Sequence, residues 1–362
     1  MIDLLVRYGA DVARKKEAAA SAERFADGSG AVLPGRVRRV DRGTCTVVTS
    51  AGEQRASYMT PRTREAGVTE PLVTGDWICV QEDPYAGLVV VALLTRRSAL
   101  VRHGAAERCA EHVLAANIDT VFIVHGLDRL LNLRRIERML VMVWSGGAEP
   151  VLVMSKSDLC SDVGAISRAA AAVAIGVDVL EVSSLTGMGL EDLLPYAAGN
   201  RTVALIGESG VGKSTIVNRL MKEEVQTTEN VRSRDAKGRH TTVTRDLLLL
   251  PDDGIFLDMP GLRGVGLWNA RPGMEKTFSD VVTLAKDCEF PDCAHVDEPD
   301  CAVIAAVDAG CFPARRLESY RQLWCELIEQ ERRWAERERQ EEQRRSSPQH
   351  RSSSERFRWS KY

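Results

Sequence analysis

The first hundred residues divide into a polar, helix-forming stretch and a longer segment in which short apolar runs alternate with turn residues. Residues 1 to about 28 are polar and helix-forming and end at the breaker DGSG, which predicts a helical, mobile extension over residues 1–30. Between residues 31 and 100 the β-rich runs GRVRRV, CTVVTS, DWICV and GLVVVALL are separated by Gly, Pro and Asp turns. This spacing predicts a small closed β-barrel, and its arginines make a barrel of the oligonucleotide-binding type one interpretation.

The pattern changes after Arg108 to strands that alternate with helices. NIDTVFIVHGL predicts a buried strand, LNLRRIERMLVMVW an amphipathic helix and EPVLVMSKSDL a second strand ending in a loop. GVDVLEVSSLTG, LEDLLPYA and RTVALIGESG predict a strand and loop, a short helix, and a strand that runs into a turn. Such alternation favours a parallel sheet with helices on both faces, and we assign residues 108–275 to this α/β domain.

A glycine-rich stretch that follows RTVALI has the spacing of a phosphate-binding loop, G-x-x-x-x-G-K-[ST]. Glycines let the backbone approach a phosphate closely, and the following run STIVNRLM predicts a helix whose N-terminus faces the anion. Lys213 would bridge the β- and γ-phosphates, and Ser214 would offer its hydroxyl to Mg²⁺. The predicted loop comprises Gly207, Glu208, Ser209, Gly210, Val211, Gly212, Lys213, Ser214 and Thr215.

A base-reading loop is predicted about fifty residues earlier, at VMSKSD. Ser155, Lys156 and Asp158 resemble the [NT]-K-x-D loop of GTPases, in which the Asp carboxylate accepts hydrogen bonds from guanine and the Lys stem packs against the base. Ser155 replaces the usual Asn or Thr, and a solvated loop is the alternative interpretation. The stretch VSSLTG that follows resembles the loop whose backbone N–H meets guanine O6, with Ser183 and Ser184 as candidates.

Two further nucleotide-sensing segments come after the phosphate loop. GIFLDMPG predicts a strand whose end resembles the D-x-x-G segment of GTPases, a resemblance that implies that Asp258 reaches Mg²⁺ through water and that the Gly261 N–H contacts the γ-phosphate. In GRHTTVTRD, Thr242, or alternatively Thr241, would coordinate Mg²⁺ only in the triphosphate state, as an order–disorder switch. The base reader therefore precedes the phosphate loop in the chain, and because a sheet is defined by spatial strand order, this order predicts a circularly permuted P-loop GTPase domain.

The segment after the second switch contains a C-x4-C-x-H-x5-C cluster. Cys288, Cys293, His295 and Cys301 supply the four ligands of a tetrahedral structural zinc site; reduced thiols packed in a small helical core are the alternative. Residues 317 to 343 predict one long charged helix with an apolar stripe that packs on this region. We assign residues 276–343 to a mostly helical zinc-binding domain and residues 344–362 to a disordered basic tail, suited either to RNA contacts or to solvation alone.

Composition and charge limit the function classes. The net charge of −3 gives no global reason to expect nucleic-acid binding, although the barrel segment is locally rich in arginine, which suits either an RNA-binding face or a solvated strand face. No apolar run reaches the roughly 18 residues of a membrane helix, so we expect a cytoplasmic protein without membrane contact. The nine cysteines are then better explained as metal ligands or buried thiols than as disulfides.

These features together resemble the ribosome small-subunit-dependent GTPase A family over roughly residues 31 to 335. The resemblance is carried by TGDWICV, AANIDTVFIV, LNLRRIERML, SKSD, GESGVGKST, GRHTTVTRD, DMPG and the Cys/His cluster, in that order. It implies a barrel, a permuted GTPase domain and a zinc-binding domain, and GTP hydrolysis stimulated by the small ribosomal subunit during its late maturation. We accordingly expect the subunit and its rRNA, together with GTP and GDP, as partners of a monomer.

The residues after Gly261 bear on catalysis, because Leu262 and Arg263 stand where many GTPases carry a water-orienting Gln. His240, immediately before the switch threonines, is the nearest candidate to supply that function, and the resemblance favours it; a surface histidine is the alternative. The alternative function is an RNA- or ribosome-binding scaffold that reads guanine poorly through Ser155. A small-molecule kinase is disfavoured, since kinases need neither SKSD nor DMPG.

Overall fold

The computed structural model describes residues 3–25, 30–102, 112–222, 245–251, 254–259, 267 and 269–346. Its N-terminal segment forms α1 (Leu4–Arg7) and α2 (Val12–Arg24). The side chain of Asp11 caps α2 by accepting a hydrogen bond from the backbone N–H of Arg14 at 2.7 Å. Both helices bury apolar side chains, among them Leu5 and Ala18, in a shared core with the barrel. The predicted helical extension therefore packs on the body of the protein.

A closed five-stranded barrel follows, as predicted. Around the barrel the strands run in the order β1-β2-β3-β5-β4, with β1 pairing β4 to close it. A short helix, α3, lies between β3 and β4 in the chain. The elements of the barrel region are β1 (Val32–Val40), β2 (Thr44–Thr49), β3 (Gly52–Ser57), α3 (Pro61–Glu65), β4 (Trp77–Asp83) and β5 (Gly87–Leu93).

The central domain is a six-stranded sheet with the spatial order β10-β9-β8-β11-β13-β12. All neighbouring pairs are parallel except β12 and β13, which are antiparallel. A two-stranded sheet, β6 (Ala99–Arg102) with β7 (His112–Ala116), leads into it. The domain comprises β8 (Thr120–Gly126), α4 (Leu133–Ser145), β9 (Glu149–Ser155), a 3-10 helix (Ser157–Leu159), α5 (Val163–Ala171), β10 (Val179–Val182), a 3-10 helix (Glu191–Tyr196), β11 (Thr202–Gly207), α6 (Lys213–Met221), β12 (Asp246–Leu249) and β13 (Ile255–Asp258).

The two faces of this sheet have separate apolar cores. Alternate side chains of β8 enter them: Val121 and Ile123 face the core that contains α4, whereas Phe122 and Val124 face the core that contains α6. Every residue of β8 is buried, as expected for a central parallel strand covered on both sides.

Four helices form the C-terminal domain: α7 (Arg271–Thr277), α8 (Ser279–Ala285), α9 (Ala302–Asp308) and α10 (Ala314–Ser346). The long charged helix predicted from the sequence is α10, with 33 residues. Leu317, Leu323 and Leu327 of its stripe are buried in the C-terminal core, whereas Ile328 is 40% exposed. Among the described residues no helix is both long and apolar enough to cross a membrane.

The sequence TGDW, from Thr74 to Trp77, makes the contact between barrel and central domain. Gly75 adopts φ +92°, and a Cβ there would lie 2.1 Å from the carbonyl oxygen of Ala116, so only glycine allows this approach. The Thr74 hydroxyl donates to the carbonyl of Arg245 at 3.2 Å. Beside it, Arg38 of β1 forms an ion pair with Asp246 at 2.8 Å. The barrel is therefore fixed to the start of β12.

A buried guanidinium joins three parts of the chain at this contact. Arg36 of β1 is only 2% exposed, although the sequence placed it among the arginines of a possible RNA-binding or solvated face. Its guanidinium donates to the carbonyl of Tyr8 at 2.6 Å, to the carbonyl of Asn117 at 2.9 Å and to the Thr202 hydroxyl at 2.8 Å. It also lies over the Trp77 ring, 5.4 Å from the centroid. Arg36 thus links the N-terminal helices, the barrel and the sheet.

We expect Arg36→Ala to destabilise the protein by on the order of 3 kcal/mol, because it leaves several buried acceptors without a donor. For a chain of 362 residues that corresponds to a fall of roughly 4 °C in the thermal midpoint, measured by calorimetry. Arg42→Ala, which removes an exposed arginine of the β1–β2 turn, is the control and should stay within about 0.5 kcal/mol. Equal shifts for the two variants would contradict the assigned role of Arg36.

Candidate functional site

The carboxyl ends of β8, β9, β10 and β11 lie along one edge of the sheet, because these strands are mutually parallel. The loops that follow β9, β10 and β11 are the predicted base reader, second base loop and phosphate loop. Segments that are far apart in the chain, Ser155–Asp158, Ser183–Ser184 and Gly207–Thr215, therefore meet at one place. This is the edge at which open α/β sheets bind ligands.

The phosphate loop depends on its glycines for its shape. Gly207, Gly210 and Gly212 have φ values of +148°, +76° and +93°, which side-chain-bearing residues rarely adopt. A Cβ on Gly207 would lie 2.4 Å from the carbonyl oxygen of Val124, so this glycine also permits close packing against β8. Gly212 caps α6 without a side-chain hydrogen bond, so the first-turn N–H groups, at Lys213 to Thr215, can face an anion.

Lys213 folds back over the loop that precedes it. Its Nζ donates to the carbonyl of Gly207 at 3.1 Å and to that of Glu208 at 2.5 Å. These carbonyls hold the ammonium above the loop at the start of α6. Placed there, it can exchange carbonyl partners for phosphate oxygens without a change of backbone.

Ser155 connects the base reader to the phosphate loop. It is 2% exposed, and its Oγ lies 2.6 Å from the carbonyl oxygen of Val211 and 3.1 Å from that of His125. The hydroxyl has one proton and so donates to one of these carbonyls at a time. Ser155, at the position of the usual Asn or Thr, thus links the predicted base reader to the phosphate loop.

Asp158 and Ser183 join the two base-reading loops. The buried Ser183 hydroxyl donates to Asp158 Oδ1, and its oxygen accepts from the backbone N–H of Thr186 at 3.2 Å. The backbone N–H of Ser183 donates to the carbonyl of Met188 at 2.9 Å. This bond leaves Ser184 as the better placed of the two candidate donors to a base.

Arg219 of α6 fixes the second base loop, a contact that sequence reasoning missed. It donates to the carbonyl of Ser184 at 2.8 Å and to that of Leu185 at 3.1 Å. The helix that begins at the phosphate loop therefore also holds the loop on the base side. The only signal in the sequence is a basic residue in the last turn of the helix, which many surface helices have.

A charged chain that crosses the site was also missed by sequence reasoning. Lys156 Nζ pairs with Asp128 Oδ2 at 2.7 Å, and Arg129 pairs with both Asp128 and Glu208 at 3.2 Å. Arg135 of α4 also pairs with Glu208. Although burial alone would raise it, the pKa of Asp128 falls to about 2 because Lys156 and Arg129 donate to the carboxylate. The phosphate-loop glutamate is thus neutralised by two arginines.

Several predicted residues fall outside the described residues: His240, Thr241, Thr242 and Gly261. Asp258 is the last residue of β13, which pairs in parallel with β11, so its backbone ends at the same edge of the sheet as the phosphate loop. The first residue of the predicted second switch thus ends a strand that lies next to the strand bearing the phosphate loop.

The four predicted metal ligands converge in the C-terminal domain. Their ligand atoms all lie within 4.8 Å of one another. Cys288 Sγ is 3.8 Å from Cys301 Sγ and 3.7 Å from His295 Nδ1, and that nitrogen is 3.4 Å from Cys301 Sγ. A tetrahedral site with metal–sulfur bonds of about 2.3 Å has sulfur–sulfur edges of about 3.8 Å. Cys288, Cys293, His295 and Cys301 therefore fit one metal ion.

The loop that carries the cluster is held by local bonds. Glu298 accepts from the backbone N–H groups of Ala294, Val296 and Asp297 at 2.8, 2.7 and 3.2 Å. These backbone hydrogen bonds lower the pKa of Glu298 to about 2. His295 adopts φ +58°, which turns its ring inward, and the ring lies 6.1 Å from that of Tyr320 of α10. The ligand geometry is thus set by the loop and by α10.

A buried ionic network joins this domain to α4. Glu137 is fully buried and pairs with Arg316 at 2.8 Å and with Arg315 at 3.1 Å. The Ser319 hydroxyl also donates to Glu137, and Arg316 reaches Asp280 at 3.0 Å. One helix, α4, therefore contacts the C-terminal domain through Glu137 and the phosphate loop through Arg135.

Comparison with known proteins agrees with this architecture. A family model described as RsgA GTPase matches residues 93–268. The small ribosomal subunit biogenesis GTPase RsgA of Streptomyces avermitilis is 46% identical over 299 residues, which cover 81% of this chain and 79% of that protein. The protein of the same name from Methanosarcina acetivorans is 40% identical over 304 residues, with coverages of 84% and 82%.

Two solved structures share the fold. The crystal structure of YjeQ from Thermotoga maritima gives a TM-score of 0.60 at 24% identity, over 82% of this chain and 99% of that one. The structure of YloQ, a circularly permuted GTPase, gives 0.59 at 19% identity, over 84% and 98%. With the family model and the closely related sequences, these matches lead to one conclusion: the chain belongs to the RsgA GTPase family and is a circularly permuted GTPase.

Proposed function

We propose that this protein binds the small ribosomal subunit late in its maturation and hydrolyses GTP to GDP and phosphate, with turnover stimulated by the subunit. The observation that carries the proposal is the meeting of two base-reading loops and a phosphate loop at one sheet edge, with Ser155 and Ser183 linking them. The names of the relatives supply the ribosomal context.

In the proposed complex, Asp158 accepts hydrogen bonds from the N1–H and N2–H₂ groups of guanine, a pair of donors that adenine lacks. The Lys156 stem packs on the base, and the N–H of Ser184 donates to O6. The loop amides from Gly207 to Thr215 surround the phosphates, with Lys213 at the β- and γ-phosphates. Base and phosphates are then read by loops that are hydrogen-bonded to each other.

Residues suited to a magnesium ion are Ser214 and Thr242, with Asp258 acting through water. A bound magnesium ion would neutralise charge on the β- and γ-phosphates. The hydroxyl of Ser214 lies in the first turn of α6, beside the phosphate loop. In the proposal, Thr242 and the N–H of Gly261 add contacts that depend on the γ-phosphate, which makes both switches sensitive to hydrolysis.

The proposed RNA contact uses the barrel and the basic tail of residues 344–362. Exposed arginines on the barrel include Arg42 and Arg64, and such side chains pair with phosphate oxygens without regard to sequence. Arg36 and Arg38 are excluded from this role because one is buried in the domain contact and the other is ion-paired to Glu53 and Asp246. We further propose that the protein acts as a monomer in the cytoplasm.

For the Cys/His cluster we propose one structural zinc ion. Three thiolates and one imidazole are soft or borderline donors that favour zinc over magnesium or calcium. The four residues saturate a tetrahedral ion, which argues for a structural rather than a catalytic role. Zinc would then fix the loop between α8 and α9 against α10.

Phosphate release from GTP and from ATP, with and without small ribosomal subunits, tests the function directly. We expect slow GTP turnover that rises at least tenfold with subunits, little ATP turnover, and none for Lys213→Ala, since this variant loses the phosphate-loop ammonium. Subunit-independent turnover, or no preference for GTP over ATP, would instead support the alternative of an RNA-binding scaffold with altered nucleotide specificity.

His240→Ala tests the proposed water-orienting residue. We expect GTP affinity within about twofold of wild type and a loss of stimulated turnover of about 10²-fold or more, because Leu262 and Arg263 cannot replace an orienting side chain. Affinity is measured by titration calorimetry and turnover by phosphate release with subunits present. Unchanged stimulated turnover would remove His240 from the mechanism.

Metal analysis by mass spectrometry tests the zinc proposal. We expect about one zinc per chain, and its loss in Cys301→Ser together with a lower thermal midpoint, because folding and metal binding are coupled. Cys325→Ser is the matched control, since that cysteine is exposed and outside the cluster. A metal-free wild type, or equal zinc content in both variants, would overturn the assignment.

A further inference from the structure

Asp128 lies at the centre of the charged chain and follows β8 by two residues. Its carboxylate contacts Lys156 through Oδ2 at 2.7 Å and Arg129 through Oδ1 at 3.2 Å. Lys156 and Asp128 are only 29% and 27% exposed at their side chains, so this pair is better shielded than a typical surface ion pair. The contact joins the end of β8 to the loop after β9.

Backbone geometry fixes both partners. Lys156 is held at φ +58°, between the end of β9 and the 3-10 helix that carries Asp158. A Cβ on Gly126 would lie 2.5 Å from Asp128 Oδ1 and 3.6 Å from Val211 Cα, so the carboxylate rests on a glycine that also faces the phosphate loop. The backbone on each side of the contact is therefore held at a strand end.

Among the described residues, Asp128 is the only hydrogen-bond or ion-pair partner of the Lys156 ammonium. A lysine side chain has four rotatable bonds and is costly to order, so the direction of its stem depends on what holds the ammonium. Asp128 holds the ammonium at 2.7 Å, beside the 3-10 helix that carries Asp158. On the other side, Arg129 links the same carboxylate to Glu208 and to the carbonyl of Ser209 at 3.4 Å.

We propose that Asp128 is a positioning residue for guanine recognition. In the proposed complex it holds the Lys156 stem against the base, and through Arg129 it connects that stem to the phosphate loop. This rests on the nucleotide site of the proposed function. Asp128 touches neither base nor phosphate in this scheme; it acts through Lys156. Base binding and phosphate-loop geometry are then coupled through one carboxylate, in addition to the Ser155 link.

A double-mutant cycle on the full chain tests this, with GDP affinity measured by calorimetry in the presence of Mg²⁺. We expect Asp128→Asn and Lys156→Met each to weaken GDP binding about tenfold. The GDP affinity of the double variant should lie within about twofold of the lower of the two single-variant affinities. Asp162→Asn is the control, because it removes a nearby carboxylate that caps α5 without contacting Lys156. It should stay within about twofold of wild type.

The outcomes separate the two levels of the proposal. Unchanged GDP affinity in Asp128→Asn, or losses that multiply in the double variant, would overturn the positioning role, since the carboxylate would then not act through Lys156. Should Asp128→Asn fail to fold, Lys156→Met probes the same contact from the other side, and unchanged affinity there is equally decisive. A wild type that does not prefer GDP to ADP would instead refute the proposed nucleotide site itself.

Discussion

The arrangement of the molecule depends on one desolvated cation, the guanidinium of Arg36. Burial lowers the pKa of Arg36 to about 10, and among the described residues no carboxylate lies within ion-pair distance of it. A buried cation is tolerated only when its N–H groups are satisfied, and here neutral oxygens from α1, the sheet and the segment before β8 satisfy them. Displacing any one of these parts would leave the charge uncompensated, so the three keep a single relative arrangement.

Local patterns were sufficient to locate the loops that follow β9, β10 and β11 at one sheet edge, and to group the four residues of the Cys/His cluster. Each of these features consists of residue types at fixed spacing within one short segment, and the strand that precedes each loop has a clear apolar pattern. The parallel sheet then brings the loops together without further information, because parallel strands end at a common edge. The closed barrel followed from the same alternation, except for β3, whose sequence GEQRAS is too polar to be recognised as a strand.

What could not be predicted are contacts between segments that no spacing rule connects. Arg36 has the sequence context of a surface strand arginine, yet it points into a domain junction whose walls come from residues 8, 117 and 202. The pairing of Asp128 with Lys156 and the pairing of Glu137 with Arg316 are likewise side-chain matches across elements. From the sequence alone, each of these charged residues is equally consistent with a solvated side chain on the surface. Only the tertiary arrangement shows that it is paired with another element instead.

The attachment of the barrel to Arg245 and Asp246 has a thermodynamic consequence. These two residues directly follow the segment that contains Thr241 and Thr242. The barrel therefore contacts the chain at the start of β12, immediately after that segment. Suppose that GTP favours one conformation of the chain at Arg245 and Asp246. A surface that docks on the barrel and favours the same conformation then strengthens GTP binding, and GTP strengthens docking by the same factor. The reciprocity requires no contact between the docked surface and the nucleotide, because Thr74 and Arg38 of the barrel contact Arg245 and Asp246, which directly follow the segment of Thr241 and Thr242 in the chain.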